Sequence, residues 1–102
     1  MDTGALAEAI RSHRIIEVSY ARDPRDAIRL VHPHALFRTG NGGLCIDALQ
    51  VAGETQSGRL PAWRQFAVIQ IRDVRVLRAR FEPARDFDPK SGKYHHGLIA
   101  VV

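Results

Sequence analysis

The chain has one cysteine, Cys45, one tryptophan, one methionine and only two lysines, Lys90 and Lys93. A lone thiol excludes an internal disulfide and any zinc site built from several cysteines. Uninterrupted apolar runs are a few residues long, whereas a membrane-crossing helix needs about 20. The opening Met1-Asp2-Thr3-Gly4 lacks the basic-then-apolar order of a signal peptide. These absences lead to the expectation of a cytoplasmic protein with no membrane partner. Chemistry is sparse as well. There is no Gly-rich Lys-Ser/Thr phosphate loop and no nucleophilic serine on an elbow glycine. Cys45 falls in a stretch that reads as a buried strand, where a thiol behaves as a small hydrophobe. No catalytic residue, metal ligand or cofactor is assigned, and the chain is expected not to be an enzyme.

What is present is arginine. Thirteen of the 15 basic residues are arginine, against 11 acids, for a net charge of +4. A planar guanidinium suits phosphate, carboxylate and flat rings, so an arginine-rich small domain points to an anionic partner such as nucleic acid or a nucleotide. A GC-rich coding sequence produces the same excess. With 102 residues, 45% of them hydrophobic and 25% charged, the chain has the size and mixture of one globular domain spanning residues 1–102.

Helical spacing occupies residues 3–13, with Asp2 or Thr3 as cap and Leu6, Ala9 and Ile10 on one face. The period then drops to two: Ile16, Val18 and Tyr20 alternate with Glu17 and Ser19. A polar Asp23-Pro24 turn leads to a strand from Ala27 to Val31, with Ile28 and Leu30 opposite Arg29; Pro33 is expected to break it before extended structure resumes over 34–38. Asn41-Gly42 is a strong hairpin signal. Strands are expected over 44–51, 63–71 and 74–81, with a loop over 52–62 and a turn at Asp73. An irregular, proline-containing excursion follows over 82–93, and then a terminal strand over 98–102. One helix followed by five or six short strands reads as a small, strongly bent sheet or barrel.

The order of these elements resembles the WYL domain, a bacterial family with an Sm-like small β-barrel core. The resemblance covers about Ala5 to Phe81. It rests on the helix running into Arg14-Ile15-Ile16-Glu17-Val18-Ser19-Tyr20, on Val31-His32-Pro33-His34-Ala35-Leu36, on the Asn41-Gly42-Gly43 turn and on Trp63-Arg64-Gln65-Phe66. Leu44-Cys45-Ile46 stands where the family has Trp-Tyr-Leu, and Ala67 and Gln70 stand where it often has basic residues. The resemblance implies a mainly β, Sm-like barrel of five to six strands with an N-terminal α-helix. It also implies a regulatory or accessory domain of transcription control that binds single-stranded nucleic acid or a nucleotide-like ligand. The helix-turn-helix usual in the family is lacking, so a partner protein would supply it.

The residues expected to carry such binding are Arg64, Phe66, Tyr20, Trp63, Arg78 and Arg80. Arg64 matches the family's strand arginine; the structural alternative is an ion pair with Asp47 or Glu17. Phe66 and Tyr20 can stack a base, although their apolar strand faces suit the core better. Trp63 is a ring platform, a dimer anchor or a partly buried rim residue. Arg78 and Arg80 share a strand face, as a phosphate contact or as a charged edge that resists strand pairing. His32 with His34, and His95 with His96, form pairs too small for a metal site unless they meet in space. The competing reading is a protein-interaction or homo-oligomerisation module in which the apolar end, 98–102, pairs with another chain.

Overall fold

The computed structural model describes residues 2–56 and 58–102. Thr3–Arg11 form helix α1, capped by Asp2, whose carboxylate accepts a hydrogen bond from the Ala5 N–H at 3.2 Å. Leu6, Ala7, Ala9 and Ile10 are buried. A nine-residue helix is marginal alone, and this one is held by its apolar stripe against the sheet. It ends two residues before the expected limit because His13 takes a φ of 56° and redirects the chain.

Six antiparallel strands follow: β1 Arg14–Tyr20, β2 Arg29–Arg38, β3 Leu44–Gly53, β4 Ala62–Ala67, β5 Ile71–Arg80 and β6 Leu98–Val101. They form one sheet in the order β4-β3-β2-β1-β5, and β6 pairs with the second half of β2. The mainly β architecture with one N-terminal helix is therefore as expected. No pairing among the described residues joins β4 to β5, so the sheet is unclosed. Alternation behaves as read in β1, where Ile16, Val18 and Tyr20 are buried. The Asn41-Gly42 turn also forms, with Gly42 at a φ of 85°. No described helix is long and apolar enough to cross a membrane.

Three expectations about the elements are corrected. Pro33 does not break β2: the strand runs through it, and the register shift between Pro33 and Ala35 absorbs the lost donor. The turn expected at Asp73 lies earlier, in the 3-10 turn Val68–Gln70. Asp73 sits inside β5 opposite Ser19. The strand expected to start at Ala27 starts at Arg29, and the side opposite Ile28 and Leu30 is the buried one. Ile28 is 44% exposed and outside β2, whereas Arg29 is buried at 6% exposure.

The sheet is covered on both sides. Its inner face packs Ile16, Val18, Val31, Leu36, Ile46 and Phe66 against α1 and Ala100 of β6. A second cluster, Ala35, Phe37, Cys45 and Tyr94 with Phe87 and Leu98 beside it, lies on the opposite face of β2 and β3 under the 82–97 excursion. Ala35 and Phe37 alternate with Leu36, which is why the middle of β2 reads as continuously apolar.

The β2–β3 pairing ends where Gly53 meets Arg29. Gly53 has a φ of +93°, and a Cβ there would lie 2.1 Å from the Ile28 carbonyl oxygen. Gly53→Ala is therefore expected to cost more than about 2 kcal/mol in urea denaturation. Gly42→Ala, with a similar φ but open space around it, is expected to cost about 1 kcal/mol.

Candidate functional site

A buried guanidinium must find acceptors for its donors, and Arg29 finds them in two segments, the Asp23 turn and β3. Its Nε and Nη2 donate to the two Asp23 carboxylate oxygens at 2.7 and 2.8 Å, and its Nη1 donates to Gln50 Oε1 at 3.1 Å. The Arg29 hydrogen bonds hold the Asp23 carboxyl below the usual carboxylate range despite its burial, and the same bonds raise Arg29. The fully buried Gln50 donates to the Ala52 and Glu54 carbonyls, at 3.2 and 2.6 Å. Its Oε1 also takes a bond from Arg64 Nε at 3.4 Å, while Arg64 Nη2 donates to Thr55 Oγ1 at 2.8 Å. Arg64 is thus positioned by neutral groups. The structural alternative, an ion pair with Asp47 or Glu17, does not form. Asp47 accepts from Tyr94 Oη at 2.6 Å and pairs with Lys93 at 2.8 Å, and Glu17 pairs with Arg75 at 3.2 Å.

Arg64 borders a hollow of about 290 Å³ with Tyr20, Arg22, Arg29, Gln56, Gln65 and Phe66. Three of the expected residues, Arg64, Tyr20 and Phe66, therefore meet. The two rings are not free platforms. Phe66 is 2% and Tyr20 6% exposed. They pack edge to face at 5.0 Å, and the Tyr20 hydroxyl accepts the Ala67 N–H at 3.0 Å. Core packing, the alternative reading, is what they do. Trp63 lies in a neighbouring cavity of about 440 Å³ that shares Arg64 and Gln65 with the first. Its indole N–H donates to Asp86 at 3.0 Å. Arg78 and Arg80 are not brought in. They sit, exposed, on β5, at the end of the sheet's pairing order opposite β4.

Arg22, Arg29, Gln50 and Gln56 escaped the sequence reading. Arg22, exposed, stands over the Tyr20 ring at 5.7 Å. Only the Asp23-x5-Arg29 pairing carried a local signal, an acid in a turn six residues before a strand arginine.

The second cavity is walled by the excursion, which His34 and Asp47 fasten to the sheet. His34 is fully buried. Its Nε2 accepts the Ala84 N–H at 2.9 Å, which makes Nδ1 the protonated nitrogen facing the His32 carbonyl at 2.8 Å. Its ring lies among Trp63, Phe81 and Phe87, at 4.8 to 5.1 Å. Both His34 nitrogens are therefore engaged by the chain itself. Among the described residues no three His, Cys, Asp or Glu side chains gather as a metal site. Burial pushes the Tyr94 phenol up, and its bond to Asp47 adds to this.

Burial also holds His34 and His32 below their ordinary value of 6.5. The unfolded chain then takes up protons that the folded one resists, so stability is complete above about pH 6.5 and declines as pH falls toward the folded values. Thermal melts between pH 8 and 5 are expected to show this decline, and His34→Gln is expected to flatten it. For Asp23, whose folded carboxyl is depressed, stability is present above about pH 4 and lost as pH falls through the folded value. Asp23→Asn leaves Arg29 buried without its counter-charge and is expected to cost about 3–5 kcal/mol in urea denaturation at neutral pH.

No protein-family model matches the chain, and searches among curated proteins and solved structures return no match, so the likeness to the WYL domain rests on the motifs quoted above.

Proposed function

We propose that this chain is a non-enzymatic regulatory or accessory domain that binds an anionic ligand, single-stranded nucleic acid or a nucleotide, in the hollow between Arg22, Arg29 and Arg64. The observation that carries the reading is the state of Arg64. It is half-buried and fixed by Gln50 and Thr55, and no carboxylate pairs with it among the described residues. A preorganised cation of this kind suits a phosphate, which accepts charge-assisted bonds from a planar fork. Arg22 adds a second charge at the rim; Asp23 pairs directly with Arg29 and lies within Coulomb range of Arg22. Gln65 and Gln56 supply amide groups to the same hollow, and amides pair with base edges.

The WYL-like motifs agree with this reading. The order β4-β3-β2-β1-β5 with one 3-10 turn joining the two outer strands brings both ends of the sheet within reach of closing, in keeping with the barrel that the resemblance implies. A separate protein carrying the DNA-reading helix, in the cytoplasm, completes the proposal.

A second reading, a protein-interaction module, is favoured by Ile69. This side chain is 93% exposed on the 3-10 turn, beside a cavity of about 590 Å³ lined by Leu44, Ala67 and Val68. The apolar end is no longer the argument for it, since β6 is paired with β2 of its own chain. Light scattering over a concentration series decides: a strict monomer, unchanged by Ile69→Ser, removes homo-oligomerisation through this turn.

Arg64→Ala tests the leading reading. Gln50 Oε1 keeps Arg29 as donor, and no buried acid is orphaned, so stability is expected to fall by less than about 1 kcal/mol. Binding of a labelled single-stranded oligonucleotide is expected to weaken by roughly 1–3 kcal/mol. In the intact protein the logarithm of affinity should fall with log salt by about 0.7 per phosphate neutralised. Absent or salt-independent binding, or equal binding by Arg64→Ala, overturns the nucleic-acid reading.

A further inference from the structure

The cavity on the Trp63 side of β4 has a character unlike the arginine-lined hollow. Three of its walls are aromatic: Phe87 stands 6.2 Å from Trp63 and 6.2 Å from Tyr94, ring centroid to ring centroid. Three carboxylates, Asp47, Asp86 and Asp88, line the same space. Asp86 takes only the Trp63 indole N–H, and Asp88 Oδ1 only the Lys90 backbone N–H at 2.9 Å. Neither has a basic side chain at ion-pair distance among the described residues.

The chain itself demonstrates the chemistry that this wall accepts. The Lys93 ammonium lies 2.8 Å from Asp47 and 5.4 and 5.8 Å from the Phe37 and Tyr94 ring centroids. That is a cation held between a carboxylate and the negative faces of two rings. Asp47 is thereby paired, whereas Asp86 and Asp88, beside Trp63 and Phe87, have no ion-pair partner among the described residues. Arg64 and Lys93 border the cavity as well, the first bonded to the neutral Gln50 and Thr55 and the second to Asp47, so the lining sets three carboxylates against two cations.

We propose that this cavity binds an organic cation, a primary ammonium or guanidinium on an aliphatic stem. The head pairs with Asp86 and Asp88, and the stem lies on Trp63 and Phe87. A volume of about 440 Å³ accommodates such a group and falls within the usual range for small-ligand sites. The cation is either a free diamine-like molecule or an arginine or lysine side chain of a partner polypeptide. This site does not rest on the anion-binding reading, and its residues other than Arg64 and Gln65 are separate from that hollow.

Trp63 is the only tryptophan in the chain, so its emission reports the site directly. The full chain is titrated to about 10 mM, a range that captures affinities down to the millimolar level, with agmatine and with a short end-capped peptide carrying one arginine. The same peptide with citrulline, neutral and nearly isosteric, is the control, and calorimetry is run on the same samples. The expected result is saturable binding of a cationic probe, with the citrulline peptide at least tenfold weaker. The double variant Asp86→Asn/Asp88→Asn, which keeps shape and acceptors, is expected to bind at least tenfold more weakly with an unchanged melting temperature. Saturation by agmatine assigns a free small cation, and saturation by the arginine peptide alone assigns a partner polypeptide. Equal binding of the citrulline peptide, undiminished binding by a folded double variant, or no saturable signal with any probe overturns the proposal. Should the double variant fail to fold, the arginine-to-citrulline comparison on the unaltered chain decides by itself.

Discussion

Strand β2 has to hide both of its faces, and the architecture follows from that requirement. Leu36 points to the side that α1 and Ala100 cover, while Ala35 and Phe37 point to the other. Each face therefore needs a roof. The inner one is the N-terminal helix together with the curved sheet; the outer one is the excursion of residues 82–97, which carries Phe87 and Tyr94. A strand exposed to solvent on the outer side would leave Phe37 and Cys45 wet. The price of covering it with irregular chain is a set of polar groups that must be satisfied. His34 and Asp47 meet part of that need by bonding the Ala84 N–H and the Tyr94 hydroxyl.

The same two-sidedness separates charge. On one side of β4 the side chains of Arg22, Arg29 and Arg64 concentrate positive charge, and Asp23 and the Gln50 amide hold two of them in place. On the other side Asp86 and Asp88 stand beside aromatic rings. A net charge of +4 therefore describes neither surface. Coulomb interactions in half-buried sites are stronger than in bulk water, so what each hollow attracts depends on its own few residues.

Much of the fold could be read from local pattern. Asp2 before an Ala/Leu run, the Ile16-Val18-Tyr20 alternation and the Asn41-Gly42 turn all act through neighbours a few residues away. The features that escaped depend on distant partners. Arg29, set between two aliphatic residues, carries no local sign of burial; Gln50, 21 residues on, and the Asp23 turn supply the partners that make its burial tolerable. Pro33 looked like a breaker, and the compensating register shift is a property of the β2–β3 pairing rather than of the proline's surroundings. The 3-10 turn at Val68–Gln70 is written in apolar residues that look like strand. Of the site, Arg64, Tyr20 and Phe66 were legible as a group. That Arg78 and Arg80 belong elsewhere was not, because period-two spacing reveals a face but not a place in the sheet order.

The position of β6 bears on how the chain reaches this state. Helix α1 packs against β6, β2 and β1, and Arg11 Nη2 bonds the Ile99 carbonyl across 88 residues of sequence. The earliest element thus lacks a complete seat until the last strand has joined β2. A nine-residue helix has little stability of its own, so its order depends on these distant contacts. Closing so long a loop costs entropy before any contact repays it. Long-range closure of this kind is the sort of topology that slows folding relative to chains of the same length held by local contacts.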